Sequence, residues 1–201
     1  MARPKSDDKK NAILAAAATV FAERGLIAPT SAISSAAGVA EGTLFTYFKN
    51  KDDLVNALYC QIKQDLGTAM LTDFPRKPGG KKETVQKRLH HIWDKFIDWG
   101  MSNPAQRVVL RKIDAWDCLT PESKNIGQQM FPEVKELFAD ASSEKIINNI
   151  PQKFIGAMMS AQAEITIDFM KRAQSEADTA ACDDYRELGF EMLWAGISCR
   201  K

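Results

Sequence analysis

Two histidines and four scattered cysteines are a thin supply of metal-binding and nucleophilic side chains for 201 residues. Cys60, Cys118, Cys182 and Cys199 form no CxxC pair and no Cys/His cluster, so neither a zinc site nor a disulfide framework is expected. Asp117 beside Cys118 opposes thiolate formation and argues against a redox sensor. His90 and His91 are neighbours; on a helix they would point about 100° apart, which disfavours a shared metal ion. The chain has no Gly-rich phosphate loop, no HExxH and no Ser/His/Asp set, so no enzyme, metal or cofactor is expected. It also lacks a leader-type apolar segment and any apolar run long enough to span a bilayer, which predicts a cytoplasmic protein with reduced thiols and no membrane partner.

An excess of one charge is missing too. Lys and Arg total 27 against 26 Asp and Glu, a net charge of +1. No overall field draws the protein to nucleic acid, so any such contact must rest on local charge and geometry. Residues 1–51 offer a modest local excess: Arg3, Lys5, Lys9, Lys10, Arg24, Lys49 and Lys51 against Asp7, Asp8, Glu23 and Glu41.

What the chain does have is helical periodicity from end to end, with no competing strand alternation; the expected fold class is all-α. Ala12, Ile13, Ala16, Val20 and Phe21 give a first helix an inward face, with Asp7 or Asp8 as its cap and Gly25 as its stop. Thr30 is read as the N-cap of a short helix to about Ala37, another helix spans about Glu41 to Phe48, and Asn50 caps a fourth. Prolines and glycines between Thr72 and Lys82 predict a loop. Helices are then expected over about 82–101, from Asn103-Pro104, from Thr120-Pro121, on either side of Pro132, from Ser142 or Ser143 to Asn149, from Pro151 to about Ser175, and from Asp183 or Asp184 to about Ser198.

The most informative stretch is Ala36-Ala37-Gly38-Val39-Ala40-Glu41-Gly42-Thr43-Leu44-Phe45-Thr46-Tyr47-Phe48. A short helix end, a glycine turn and a second short helix make a helix-turn-helix unit, whose second helix can lie in the DNA major groove. Ile33, Ala37 and Val39 are expected to pack inside, and Gly38 takes a left-handed turn cheaply. Leu44 and Phe48, four apart, anchor the second helix, which leaves Phe45, Thr46 and Tyr47 outward and Lys49 and Lys51 near phosphates. A generic three-helix subdomain is the competing reading of the residues alone.

In register, Ile33, Ala37-Gly38-Val39, Gly42-Thr43-Leu44, Tyr47-Phe48, Lys51 and Leu54 resemble the tetracycline-repressor (TetR) family of bacterial transcription regulators over roughly Lys9 to Leu58. The resemblance implies a helix-turn-helix DNA-binding domain over 1–51 and a helical ligand-binding and dimerisation domain over 52–201. It implies that Thr43, Phe45 and Thr46 face the major groove, that Thr30 or Ser31, Tyr47 and Lys51 hold phosphates, and that Arg3 and Lys5 form a basic arm. Phe45 stands where the family often has tyrosine, and Ala40 where serine is frequent. The expected partners are double-stranded DNA carrying a near-palindromic operator, a second copy of the chain, and a small apolar or aromatic effector that releases a repressor. The alternative is control by a protein partner, or DNA binding without an inducer. Nucleoid association in a bacterial cytoplasm follows from the same resemblance.

The two long helices near the C-terminus are apolar around much of their circumference, which suits either a buried core or an interface. The resemblance favours an interface, placed on Phe154, Met158, Ile165, Phe169, Leu188, Met192 and Leu193. Trp93, Phe96, Trp99, Trp116, Met130 and Phe131 on the middle helices are candidates for an effector pocket, with core filling as the alternative.

Overall fold

The computed structural model describes residues 5–75, 82–116 and 118–199. These hold ten helices: α1 Lys5–Arg24, α2 Thr30–Ala36, α3 Glu41–Tyr47, α4 Lys51–Leu71, α5 Val85–Ser102, α6 Pro104–Asp114, α7 Pro121–Gln129, α8 Pro132–Ser143, α9 Gln152–Ser175 and α10 Thr179–Ile197. The fold is all-α, as expected. Two compact units are present: one comprises the chain through Asp65 with Asn103–Met130, the other Leu66–Ser102 with Phe131 onward.

In the first unit α1 packs against α2 and α6, and α2 against α3. Ile13, Ala17, Val20 and Phe21 recur on one face of α1 and are buried. Gly25, at φ +80°, ends the helix, and its N–H donates to the Phe21 carbonyl at 3.0 Å. Lys112 of α6 adds a cation there: Nζ donates to the Ala22 carbonyl at 2.8 Å and to that of Phe21 at 3.3 Å. Asn50 caps α4 as read from sequence. Its Oδ1 accepts from the Asp53 N–H at 2.8 Å, while Asp53 Oδ2 accepts from the Lys49 N–H at 3.1 Å. Buried Asn56 ties α4 to the approach of α7 by donating to the Cys118 carbonyl at 3.1 Å and accepting from the Thr120 N–H at 2.9 Å. Thr120 caps α7 through its hydroxyl, which accepts from the Ser123 N–H. Burial pushes the Tyr59 phenol up to about 12, with Asp114 adding to the rise.

In the second unit α5 packs against α8, α9 and α10, and α9 against α10. Val85, Leu89, Ile92, Trp93 and Ile97 form its buried face. Gly189 of α10 sits so close to Trp93 that a Cβ there would lie 2.7 Å from the indole, which lets α10 approach α5. Arg88, nearly fully buried, pairs with Asp140 of α8 at 2.9 Å, and Lys82 reaches the same carboxylate at 2.9 Å.

Several sequence expectations need correction. Asp7 and Asp8 stand inside the first turn of α1, where the helix dipole favours them, rather than ahead of it. Pro29, extended at φ −72° and ψ 151°, holds the N-cap position of α2, so Thr30 is the first helical residue. The helix expected from 82 begins at Val85, and the Thr84 hydroxyl accepts from the Lys87 N–H at 3.3 Å. No helix occupies 144–149. There Lys145 turns left-handed at φ 54°, and Ile147 bridges antiparallel to Ser198. The last helix starts at Thr179 because Asp178 caps it, its Oδ1 accepting from the Ala181 N–H at 3.0 Å. Arg3 lies outside the described residues, and Lys5 is the first residue of α1 rather than part of a free arm.

Candidate nucleic-acid interface

The turn between α2 and α3 is built from backbone bonds. The Ala37 N–H donates to the Ile33 carbonyl at 2.9 Å, Gly38 to Ser35 at 3.1 Å, and Val39 to Ser34 at 3.0 Å. Only the left-handed Gly38, at φ +65°, lets the chain reverse this tightly. Ile33 is fully buried beneath the turn, whereas Ala37 and Val39 are half-buried, so the packing is looser than the sequence suggested. Ala40 leaves α3 without a side-chain cap.

α3 is sharply two-faced. Leu44 and, just past the helix end, its C-cap Phe48 are buried at 0% and 2% exposure. Phe45 is 45% exposed on the other side, beside exposed Thr46 and the slim Gly42. Thr43 and Tyr47 are half-buried. The hydroxyl of exposed Thr46 donates to the Gly42 carbonyl at 3.1 Å and keeps its acceptor lone pairs. Lys51 is half-buried with its ammonium 5.9 Å from the Phe21 ring centroid, a cation–π contact that steadies it at the start of α4. Ser31 is exposed. The Thr30 hydroxyl donates to Glu41 Oε1 at 2.9 Å, a link that sequence reading missed because nothing local relates residues eleven apart.

Among the other candidate residues, Trp93 is fully buried and its indole N–H donates to the Arg186 carbonyl at 2.9 Å. Trp99 is buried with Phe96 stacked on it at 6.5 Å, and Phe131 is half-buried in the same unit. Trp116, 50% exposed, and half-buried Met130 belong to the first unit. The second unit also has a polar cleft of about 720 Å³, which none of these six lines. There His90 faces Glu187 through Nε2 at 2.9 Å and Asp94 through Nδ1 at 3.3 Å, and Arg186 reaches Asp98 at 2.7 Å. Burial is the largest influence on Asp94 and pushes its carboxyl above the usual range. On α9 and α10, Phe154, Met158, Ile165, Phe169, Leu188 and Met192 are all exposed, whereas Leu193 is turned inward at 3% exposure.

A glycine turn, an inward-anchored short helix and an outward face of small and aromatic side chains form a helix-turn-helix unit in an all-α frame. Residues 13–58 match the family model for bacterial regulatory proteins of the tetR family. Solved structures share the fold over most of the chain. A TetR-family transcription regulator of Marinobacter aquaeolei VT8 superposes with a TM-score of 0.82 at 20% identity, covering 99% of this chain and 100% of that one. A TetR-family transcriptional regulator of Haemophilus influenzae Rd gives 0.74 at 18% identity, covering 96% and 100%. The transcriptional regulator FadR of Bacillus subtilis, in complex with stearoyl-CoA, gives 0.65 at 20% identity, covering 93% and 98%. Residues 13–58 thus match the tetR-type DNA-binding domain, and the chain shares the fold of these regulators.

Proposed function

We propose that the protein is a homodimeric, sequence-specific repressor that a small molecule releases from its operator. The observation that carries the DNA-binding part is the split of α3, with Leu44 and Phe48 sealed inside and Phe45 and Thr46 open. In this reading residues 1–51 bind DNA, and residues 52–201 pair the subunits and receive the signal. Thr43, Phe45 and Thr46 meet base edges, and Phe45 suits a thymine methyl group. Tyr47, Lys51, Ser31 and Thr30 hold phosphates and set register.

Pairing is supported by the exposed apolar side chains of Phe154, Met158, Ile165 and Phe169 on α9 and Leu188 and Met192 on α10. Monomeric proteins rarely leave a large apolar patch in water. A second copy places a second recognition helix on the other half of a near-palindromic site. Control by an apolar effector is supported by the likeness to a fold that holds stearoyl-CoA in the B. subtilis relative. An effector that binds one conformation of the second unit more tightly must weaken DNA binding by the same coupling energy.

A gel shift on the DNA upstream of its own gene tests the reading. Specific, salt-sensitive binding there, weakened by stearoyl-CoA or a smaller acyl or aromatic compound, is expected. Binding that no such compound changes favours regulation without an inducer, a reading supported by Trp93, which is fully buried with its N–H satisfied.

A further inference from the structure

We propose that Glu41 is a specificity-determining residue that reads an exocyclic amino group in the major groove, with cytosine N4 favoured over adenine N6. The proposal rests on the DNA-binding reading above. From Thr30 to Lys51 Glu41 is the one acidic residue, and it stands exposed at the first position of α3. A carboxylate carried toward a phosphate-lined groove is repelled unless a donor meets it. In the structure that donor is Thr30, whose hydroxyl gives its single proton to Glu41 Oε1 at 2.9 Å.

That bond creates an exchange. Thr30 cannot donate to Glu41 and to a phosphate at once. When Thr30 turns its proton to the backbone of DNA, Glu41 loses its partner and must find another. The major groove offers few. Guanine presents two acceptors and thymine one, all of which repel a carboxylate. Adenine has an amino group, but its N7 acceptor lies beside it. Cytosine alone presents an amino donor with no neighbouring acceptor on the same base. Thr30's phosphate contact and Glu41's base contact are therefore made together at a cytosine, and opposed elsewhere. Glu41 also disfavours binding to arbitrary sequence.

The test compares the full-length wild-type protein with Glu41→Ala, Glu41→Gln and Thr30→Val. Each is given its best operator, selected from random duplexes, and that operator with every single base substitution. For the wild type, replacing one cytosine per half-site should cost about tenfold in affinity. Glu41→Ala should flatten that position alone and bind random DNA several-fold more tightly. Glu41→Gln should move the preference from cytosine to adenine, a gain that misfolding cannot produce. Thr30→Val should weaken binding on all sequences and keep the cytosine preference. Unchanged base preferences in both Glu41 variants, or an equal loss on all sequences in both, overturn the proposal. If the wild type itself selects no sequence, the DNA-binding reading fails and takes this proposal with it.

Discussion

The hydroxyl of Thr30 and the carboxylate of Glu41 meet at 2.9 Å, joining the first turn of α2 to the first turn of α3. With Ile33 and Leu44 fully buried below, the two short helices are fixed to each other at their starts as well as through their cores. Seven residues are too few for a helix to be stable by itself, so tertiary anchoring of this kind must hold α3 in shape.

That anchoring separates side chains that hold the helix from those proposed to meet DNA. Lys51→Gln should weaken binding evenly across sequences and reduce the slope of log affinity against log salt by about 1. Thr46→Ala should instead change base preference, by roughly 1 kcal/mol or more if Thr46 contacts a base. Competition gel shifts at several salt concentrations distinguish the two. Equal losses on every sequence for both variants contradict the division of roles.

Gly38 tests the turn. Its φ of +65° disfavours a side chain, yet a Cβ there meets nothing within 4 Å. Gly38→Ala should therefore cost about 1–2 kcal/mol through the backbone alone, and Gly38→Asn less, because asparagine adopts the left-handed conformation more readily. Thermal unfolding of the three proteins gives the order. Equal loss in both variants would point to a clash instead.

Leu193 and Met192 are neighbours on α10 with opposite fates, 3% and 57% exposed. Met192→Glu combined with Ile165→Glu should leave the fold intact and shift the protein to a monomer, measured by light scattering, with operator affinity falling sharply. Leu193→Ala should destabilise the fold by roughly 2–4 kcal/mol through the cavity it leaves. A charged double variant that remains dimeric would place the pairing surface elsewhere.

Acid should loosen the second unit through Asp140. Lys82, then Arg88, hold its carboxyl below the usual 3.8 despite some desolvation. The unfolded chain therefore binds a proton more readily than the folded one. The stabilisation is fully present above the unfolded value and is lost as pH falls through the lowered folded value. Asp140→Asn should be less stable at neutral pH, because Arg88 loses its counter-charge, and should show a shallower decline between about pH 5 and 2. Parallel melting curves against pH would remove Asp140 from the account.

Much of the helix-turn-helix was legible because its determinants are local. The turn needs one left-handed glycine, the anchor is the Leu44 and Phe48 pair, and Asn50 caps the helix that follows. The misreadings came where distant partners decide. The stretch at 144–149 has a serine cap and helical composition, but the Asn148 N–H donates to the Ile197 carbonyl and the Cys199 N–H to that of Ile146, each at 2.8 Å. Those partners are about fifty residues away and pull the chain extended. Asp178, Asp183 and Asp184 are equivalent caps by residue type, and the structure uses the first. Apolar residues around much of α10 could not reveal which of Met192 and Leu193 faces water, because only the neighbouring helices set that orientation.

The most direct measurement is selection of duplexes from a random library by the full-length protein, with the stoichiometry of the selected complex measured in solution. The account predicts an inverted repeat bound by two chains, its half-site centres about 10 base pairs or a near multiple apart. Recovery of unenriched random sequence would contradict it.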